Sequence, residues 1–177
     1  MFYNLILNKF VLTGPESTGK TTLATLLANR FEAPLVEEQA RSYLNNLTKP
    51  YELHDVLKMA ENQLKFEQEA TNQNPSLLFL DTDLITFKIW LKIKYNKEIE
   101  WINNAISNQP NKHYFLCAID LPWEVDPLRE HPRIEDREFI FEQHLNILKQ
   151  NKFSFSIISG NAEMRLKKCV NFLENSI

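Results

Sequence analysis

The sequence predicts a three-layer α/β fold built on a parallel sheet. Three observations carry that prediction: short apolar runs, amphipathic helical stretches between them, and a glycine-rich loop joining the first run to the first helix. The runs are Phe10–Thr13, Pro34–Glu37, Leu77–Asp81, Tyr114–Ile119 and Phe153–Ser159. Continuous apolarity over four to seven residues suits strands buried on both faces. Strand–helix alternation with right-handed crossovers then gives a sheet covered by helices on both sides.

Each helix is read from its apolar spacing. Leu23, Leu26 and Leu27 share a face after the first strand; Val56, Leu57, Ala60 and Leu64 do so after the second. Ile85, Ile89 and Ile93, then Ile99, Ile102 and Ile106, mark two helices after the third. Ile134, Phe141, Leu145 and Leu148 mark one after the fourth. Trp90 and Trp101 fall at the same spacing and read as core.

Length and composition narrow the classes. The 177 residues suit one domain spanning 1–177, and the roughly nine residues before the first strand predict no upstream domain. A net charge of −3 offers no general attraction to nucleic acid or to anionic lipid. No apolar run approaches the roughly 18 residues of a membrane helix, and no signal-peptide pattern opens the chain. Cys117 and Cys169 are isolated, and neither has metal-ligand spacing with His54, His113, His131 or His144. A cytoplasmic protein without disulfide or structural metal is expected.

Glycine occurs three times, and two of the three lie in Gly14-Pro15-Glu16-Ser17-Thr18-Gly19-Lys20-Thr21. This is a complete phosphate loop, entered from a strand and left by a helix that continues through Thr22. Its backbone N–H groups and the helix N-terminus suit phosphate oxygens. Lys20 is placed for the β- and γ-phosphates, and the Thr21 hydroxyl for Mg²⁺. Binding of a nucleoside triphosphate, ATP with Mg²⁺, follows.

Polar residues at the carboxyl ends of the other strands face the same crevice. Asp81 ends the third strand and suits Mg²⁺ or its water. Asp83, two residues on, is either a second functional carboxylate or the N-cap of the next helix. Glu38 and Arg41 follow the second strand; they suit substrate hydroxyls and charge compensation, or simply start a helix. Arg129, Arg133 and Arg137 recur every four residues around Pro132. They suit a lid over the triphosphate, or a charged surface helix in which the interleaved Glu130, Glu135, Asp136 and Glu138 are their ion-pair partners. Gly160 ends the last strand, where it either admits a close nucleotide or makes a turn.

Together these pieces resemble the ribosylnicotinamide kinase domain of the bacterial NadR family of P-loop kinases, from Phe10 to about Arg165. The phosphate loop resembles that family's loop, Glu16-Ser17 included. Glu38 and Arg41 match its Glu-x-x-Arg; Asp81-Thr82-Asp83 with Ile85-Thr86 match its Asp-Thr-Asp motif. Trp123, Asp126, Leu128 and Arg129 match its Trp-x-x-Asp-x-Leu-Arg segment, and Arg137 a following lid arginine.

The resemblance implies a P-loop NTPase fold with sheet order 2-3-1-4-5, a helical lid at about 123–140, and Mg-ATP as phosphoryl donor. The acceptor it implies is the 5′-hydroxyl of nicotinamide riboside, a small molecule, giving the mononucleotide used for NAD. It puts Asp81 and Asp83 at metal and acceptor, and Glu38, Arg41, Thr86, Trp123 and Asp126 on the acceptor side. Arg129 and Arg137 fall in the lid.

The adenylyltransferase and DNA-binding domains of multidomain members have no counterpart in this sequence. Pro127 stands where many relatives have Gly, and Gln39 where many have Tyr. Asp81, or in second place Glu38, is read as the base. Another nucleoside or a vitamin such as thiamine, a mononucleotide kinase, and an ATP-binding regulatory or transporter-coupled switch stay open. A GTPase does not fit: no Asn-Lys pair, at Asn8, Asn96, Asn111 or Asn151, is followed by the Asp of guanine recognition.

Overall fold

A computed structural model describes residues 8–109 and 111–176. Five parallel strands, β1 (Asn8–Thr13), β2 (Leu35–Val36), β3 (Leu77–Asp81), β4 (Lys112–Cys117) and β5 (Ser154–Ile158), form one sheet in the order β2-β3-β1-β4-β5. The register pairs Leu12 with Asp81 and Thr13 with Leu116, so β1, β3 and β4 end side by side. Their carboxyl ends therefore open on one crevice.

Seven helices connect them among the described residues: α1 (Lys20–Phe31), α2 (Gln39–Asn45), α3 (Leu53–Asn72), α4 (Leu84–Tyr95), α5 (Glu100–Ser107), α6 (Ile134–Gln150) and α7 (Ala162–Glu174). Alternation along β1 sends Phe10 and Leu12 to one face and Val11 to the other. On the first face they meet Leu23, Leu27, Cys169 and Leu173 of α1 and α7. On the second, Val11, Leu80, Tyr114 and Leu116 meet Val56, Met59, Ala60, Ile85, Ile102 and Leu148.

The interior strands appear where the apolar runs predict them. The edges deviate: β2 keeps two residues of a predicted four, and β5 is half-exposed. Helices α2 and α7 carry no counterpart in the apolar pattern as read above. The segment 121–133 has no helix, so the stretch expected as a helical lid, called the lid below, is an irregular loop running into the first turns of α6. Among the described residues no helix is long and apolar enough to cross a membrane.

Candidate functional site

The phosphate loop turns where β1 ends. Gly14 has φ +130°, and a Cβ there would lie 2.9 Å from the Cys117 carbonyl oxygen, so only glycine lets β1 leave so close to β4. Lys20 Nζ donates to the Pro15 carbonyl at 2.7 Å, and Thr18 Oγ1 donates to the same oxygen at 2.8 Å. These bonds hold the loop curled around the start of α1.

Behind the loop lies Arg165 of α7, which sequence reasoning left without a role. Its buried guanidinium donates to the Thr18 carbonyl at 3.0 Å, the Ala118 carbonyl at 3.0 Å and the Gly160 carbonyl at 2.6 Å, and pairs with Asp120. The Gly160 N–H also donates to Asp120, at 2.5 Å. Gly160 thus ties β5 to β4 from behind, and it does not line the cavity described below. The signal in the sequence was Cys169 and Leu173 at helical spacing from Arg165, which put one charge on an otherwise apolar face.

A cavity of about 670 Å³ runs from the phosphate loop to the middle of α4. At the loop end its wall includes residues 14–22, with Leu26 of α1 beyond them. Glu38 and Arg41 flank the middle. Farther along, Ala40, Leu44, Ile89, Trp90, Ile93 and Ile140 make a mostly apolar slot. Ile93, on the apolar face as read, is exposed and faces this slot; Trp90 and Trp101 pack against the core as read, and Trp90 lines the slot as well.

The two candidate carboxylates differ: Glu38 lines the cavity and Asp81 does not. Asp81 is 1 % exposed, sits next to Thr21, and has Oδ1 buried without a protein partner. Burial pushes its pKa up, against the Thr21 hydroxyl and the Lys20 charge. Glu38 opens on the cavity and has no protein hydrogen-bond or ion-pair partner among the described residues. Burial raises its pKa, opposed by Lys20 and Arg41 and reinforced by Asp81 and Glu16.

A buried unpartnered oxygen beside a threonine hydroxyl offers the hard oxygen donors that Mg²⁺ takes, with water and phosphate completing its shell. Among the described residues no cluster of three or more His, Cys, Asp or Glu could hold a metal. Thr21 and Asp81 are the residues that fit.

Asp83 does something else. It caps α4 by accepting from the Ile85 N–H at 3.0 Å. Its other oxygen accepts from Lys112 Nζ at 3.1 Å and Tyr114 Oη at 2.9 Å. Lys112 is wholly buried; burial works against its charge, but Asp83 and Glu67, 2.8 Å away, hold its pKa above the usual value. Asp83 is fully enclosed and off the cavity wall, so the cap reading is the one realised. Asp83→Ala leaves Lys112 short of a counter-charge in the core. We expect urea denaturation to show a loss of about 3–5 kcal/mol, with nucleotide affinity unchanged where the variant stays folded.

The lid is pinned to the phosphate loop. Glu16 accepts from the backbone N–H of Glu130 at 3.1 Å and of His131 at 3.0 Å. Ser17 Oγ accepts from the Glu124 N–H at 2.9 Å and donates to the Pro122 carbonyl at 3.3 Å. Arg129 Nη1 donates to the Glu124 carbonyl at 2.6 Å, and Arg129 lines the cavity. Arg41 Nη2 donates to Asp126 at 2.8 Å, linking α2 to the lid. Glu130 accepts from Tyr51 at 2.6 Å and from Lys94 at 2.8 Å, closing the far end of the slot.

Trp123 and Asp126 hold the lid rather than line the cavity. The Trp123 ring lies 5.8 Å from the Arg129 guanidinium and 5.4 Å from that of Arg137. Arg137 is buried behind this ring, with Nε and Nη1 lacking acceptors. Arg133 departs furthest from its expected cofactor contact: it precedes α6, is 72 % exposed in its side chain, and makes paired bonds of 2.8 and 2.6 Å to Asp136. The interleaved acids claim it, as their i+3 spacing allows.

The lid contact also titrates. His131 Nδ1 lies 3.4 Å from Glu16 Oε2, an ion-pair separation without hydrogen-bond alignment. Glu16 raises the His131 pKa, against burial. Burial works against the Glu16 charge, but the His131 side chain and the two backbone N–H groups lower its pKa overall. The imidazolium part of the contact is complete below the ordinary His value of 6.5 and is lost as pH rises through the raised one. The Glu16 part is complete above 4.5 and is lost as pH falls through the lowered value. We expect hydrogen-exchange protection of the Glu130 and His131 amides, corrected for intrinsic rates, to be greatest near pH 5–6 and to fall above neutrality. In Glu16→Gln it should be weak at every pH.

This geometry, a phosphate loop and a metal-suited carboxylate beside a mostly apolar slot, defines a P-loop nucleotide-binding fold of the kinase type. The chain belongs to the AAA domain family AAA_28, whose model matches residues 9–165. It is 25% identical over 168 residues to the trifunctional NAD biosynthesis/regulator protein NadR of Salmonella typhimurium, covering 92% of this chain and 41% of that protein. The chain therefore spans about two-fifths of that relative's length.

Among solved structures it is similar to NadR in complex with NR, with a TM-score of 0.76, 21% identity, and coverage of 96% of this chain and 49% of that one. It is also similar to thymidylate kinase from Ehrlichia chaffeensis, with a TM-score of 0.66, 14% identity, and coverage of 94% and 98%. The fold and the sheet order are those of P-loop kinases.

Proposed function

We propose that this protein is an ATP-dependent kinase that phosphorylates the 5′-hydroxyl of nicotinamide riboside. The observation that carries this reading is one continuous cavity. It joins a phosphate loop to a slot of aromatic and aliphatic walls, with an unpartnered carboxylate, Glu38, between them. A donor triphosphate and a flat-ringed alcohol would meet at Glu38. The similarity to NadR, whose structures hold NR and, separately, NAD with AMP-PNP, supports both ligands.

In this reading Lys20 and the backbone N–H groups of residues 16–19 hold the β- and γ-phosphates, and Arg129 reaches them from the lid. Thr21 and Asp81 would hold Mg²⁺, which neutralises phosphate charge when bound. Arg41 steadies the acceptor alcohol, and Glu38 accepts its proton as the oxygen attacks phosphorus. Such transfer depends on positioning and charge stabilisation more than on covalent help from the protein. Asp81 faces Thr21 rather than the slot, so the base role passes to Glu38 and the metal role stays with Asp81.

The test is ADP release from Mg-ATP with and without nicotinamide riboside, with the product weighed by mass spectrometry. Stimulated release and a product heavier by one phosphoryl group are expected. Unstimulated ATP binding, with thiamine and other nucleosides equally inert, would replace this reading with a nucleotide-dependent switch.

A further inference from the structure

The wall between phosphate loop and slot carries a polar chain ending in a buried histidine. His144 of α6 is 1 % exposed, and its Nδ1 lies 3.0 Å from the Ile140 carbonyl oxygen. A carbonyl only accepts, so Nδ1 carries a proton. Burial lowers the pKa of the ring to about 4, so near neutrality Nε2 is a bare acceptor. The group facing it is Thr86 Oγ1, at 3.4 Å, and Thr86 Oγ1 lies 3.1 Å from Thr82 Oγ1.

The donor directions follow. Nε2 has no proton, so Thr86 gives its own to His144. Its proton spent, Thr86 accepts from Thr82. Every proton in the chain Thr82, Thr86, His144, Ile140 then points along the chain, and both hydroxyl oxygens keep lone pairs. All three side chains belong to residues lining the cavity, and Thr86 lies one turn before Ile89 and Trp90 on α4. Thr82 has φ +77°, an unfavourable conformation for a β-branched residue, and its N–H is held by the Leu12 carbonyl at 3.0 Å.

We propose that His144 is a positioning residue which makes Thr86 and Thr82 a purely accepting surface. That surface selects phosphoryl acceptors that present an O–H or N–H donor to it. The proposal rests on the kinase reading above. Two parts of a riboside could supply such a donor: a ribose hydroxyl, or an amide on the ring.

Steady-state kinetics test it with Thr86→Val, His144→Leu and His144→Gln, the last restoring an acceptor near the Nε2 position. Leu at 144 is expected to raise the KM for nicotinamide riboside about tenfold, the usual worth of one hydrogen bond or slightly more, with the KM for ATP unchanged. Gln should recover most of the loss. In the Thr86→Val background His144→Leu should add little, because both act through one hydroxyl.

The 2′-deoxy and 3′-deoxy ribosides and nicotinic acid riboside identify the source: the Thr86→Val penalty disappears with whichever analogue lacks the complementary donor. Additive losses, equal losses in kcat and in both KM values, or a penalty that persists with every analogue would overturn the inference. So would ¹⁵N ring shifts showing the proton on Nε2 of His144. No acceptor-stimulated turnover in the unsubstituted protein instead removes the kinase reading itself, so the two failures are distinct.

Discussion

Lys20→Ala is expected to remove phosphoryl transfer while leaving the fold in place, with kcat/KM falling by about three orders of magnitude, typical of a lost charged contact to the transferring group. The side chain shares in holding the loop, but other bonds hold it too. Its one side-chain hydrogen bond among the described residues is the 2.7 Å bond to the Pro15 carbonyl. A triphosphate in the loop offers the ammonium a stronger, charged acceptor, and the Pro15 oxygen keeps its bond from Thr18 Oγ1.

The loop shape survives the change for a second reason. Gly14 fixes the exit from β1 by its closeness to Cys117, and Arg165 holds the Thr18 carbonyl from behind. Thermal unfolding should therefore shift by a few degrees at most, while ADP release stops. Normal turnover in Lys20→Ala would mean that the loop does not hold the reacting phosphates.

What the sequence made legible follows from physical range. The strands β1, β3 and β4 are buried, so their apolar runs mark them: β3 residue for residue, while β1 begins two residues before its run and β4 lies two residues earlier than its own. The phosphate loop is contiguous and needs glycines at fixed offsets, so it too is read directly. Edge strand β2 has one neighbour and two residues, and nothing in Pro34–Glu37 announces where pairing stops. Trp90 and Ile93 show the limit of periodicity: an apolar face of α4 turns partly toward a cavity, and an apolar wall for a ligand has the same spacing as core.

Asp83 and Arg133 failed as site residues because their partners are distant or ambiguous in sequence. Lys112, which claims Asp83, lies 29 residues away, and Asp136 claims Arg133 from the next helical turn. His131 and His144 were passed over because isolated histidines suggest nothing until Glu16 and Thr86 are seen beside them.

Glu38 and Asp81 give the second large effect, and the two should fail differently. Glu38→Gln keeps the shape and removes proton acceptance, so kcat is expected to fall by about 10²–10⁴-fold while the KM for ATP and the Mg²⁺ requirement hold steady. Asp81→Asn is expected instead to raise the Mg²⁺ concentration needed for half-maximal rate, with excess Mg²⁺ restoring part of kcat. The reason is position: the Asp81 oxygen without a partner among the described residues is buried next to Thr21, whereas the Glu38 carboxylate stands on the cavity wall, free of donors among the described residues.

The pH profile separates them further. Burial and the nearby Asp81 and Glu16 charges hold the Glu38 pKa above its ordinary 4.5, although Lys20 and Arg41 pull against them. A base must be ionised to act, so kcat should fall on the acid side through a pKa above 4.5, and Glu38→Gln should abolish that limb. If Asp81→Asn removes the limb and Glu38→Gln leaves it, the two carboxylates have exchanged roles and the attacking hydroxyl lies closer to β3 than to α2.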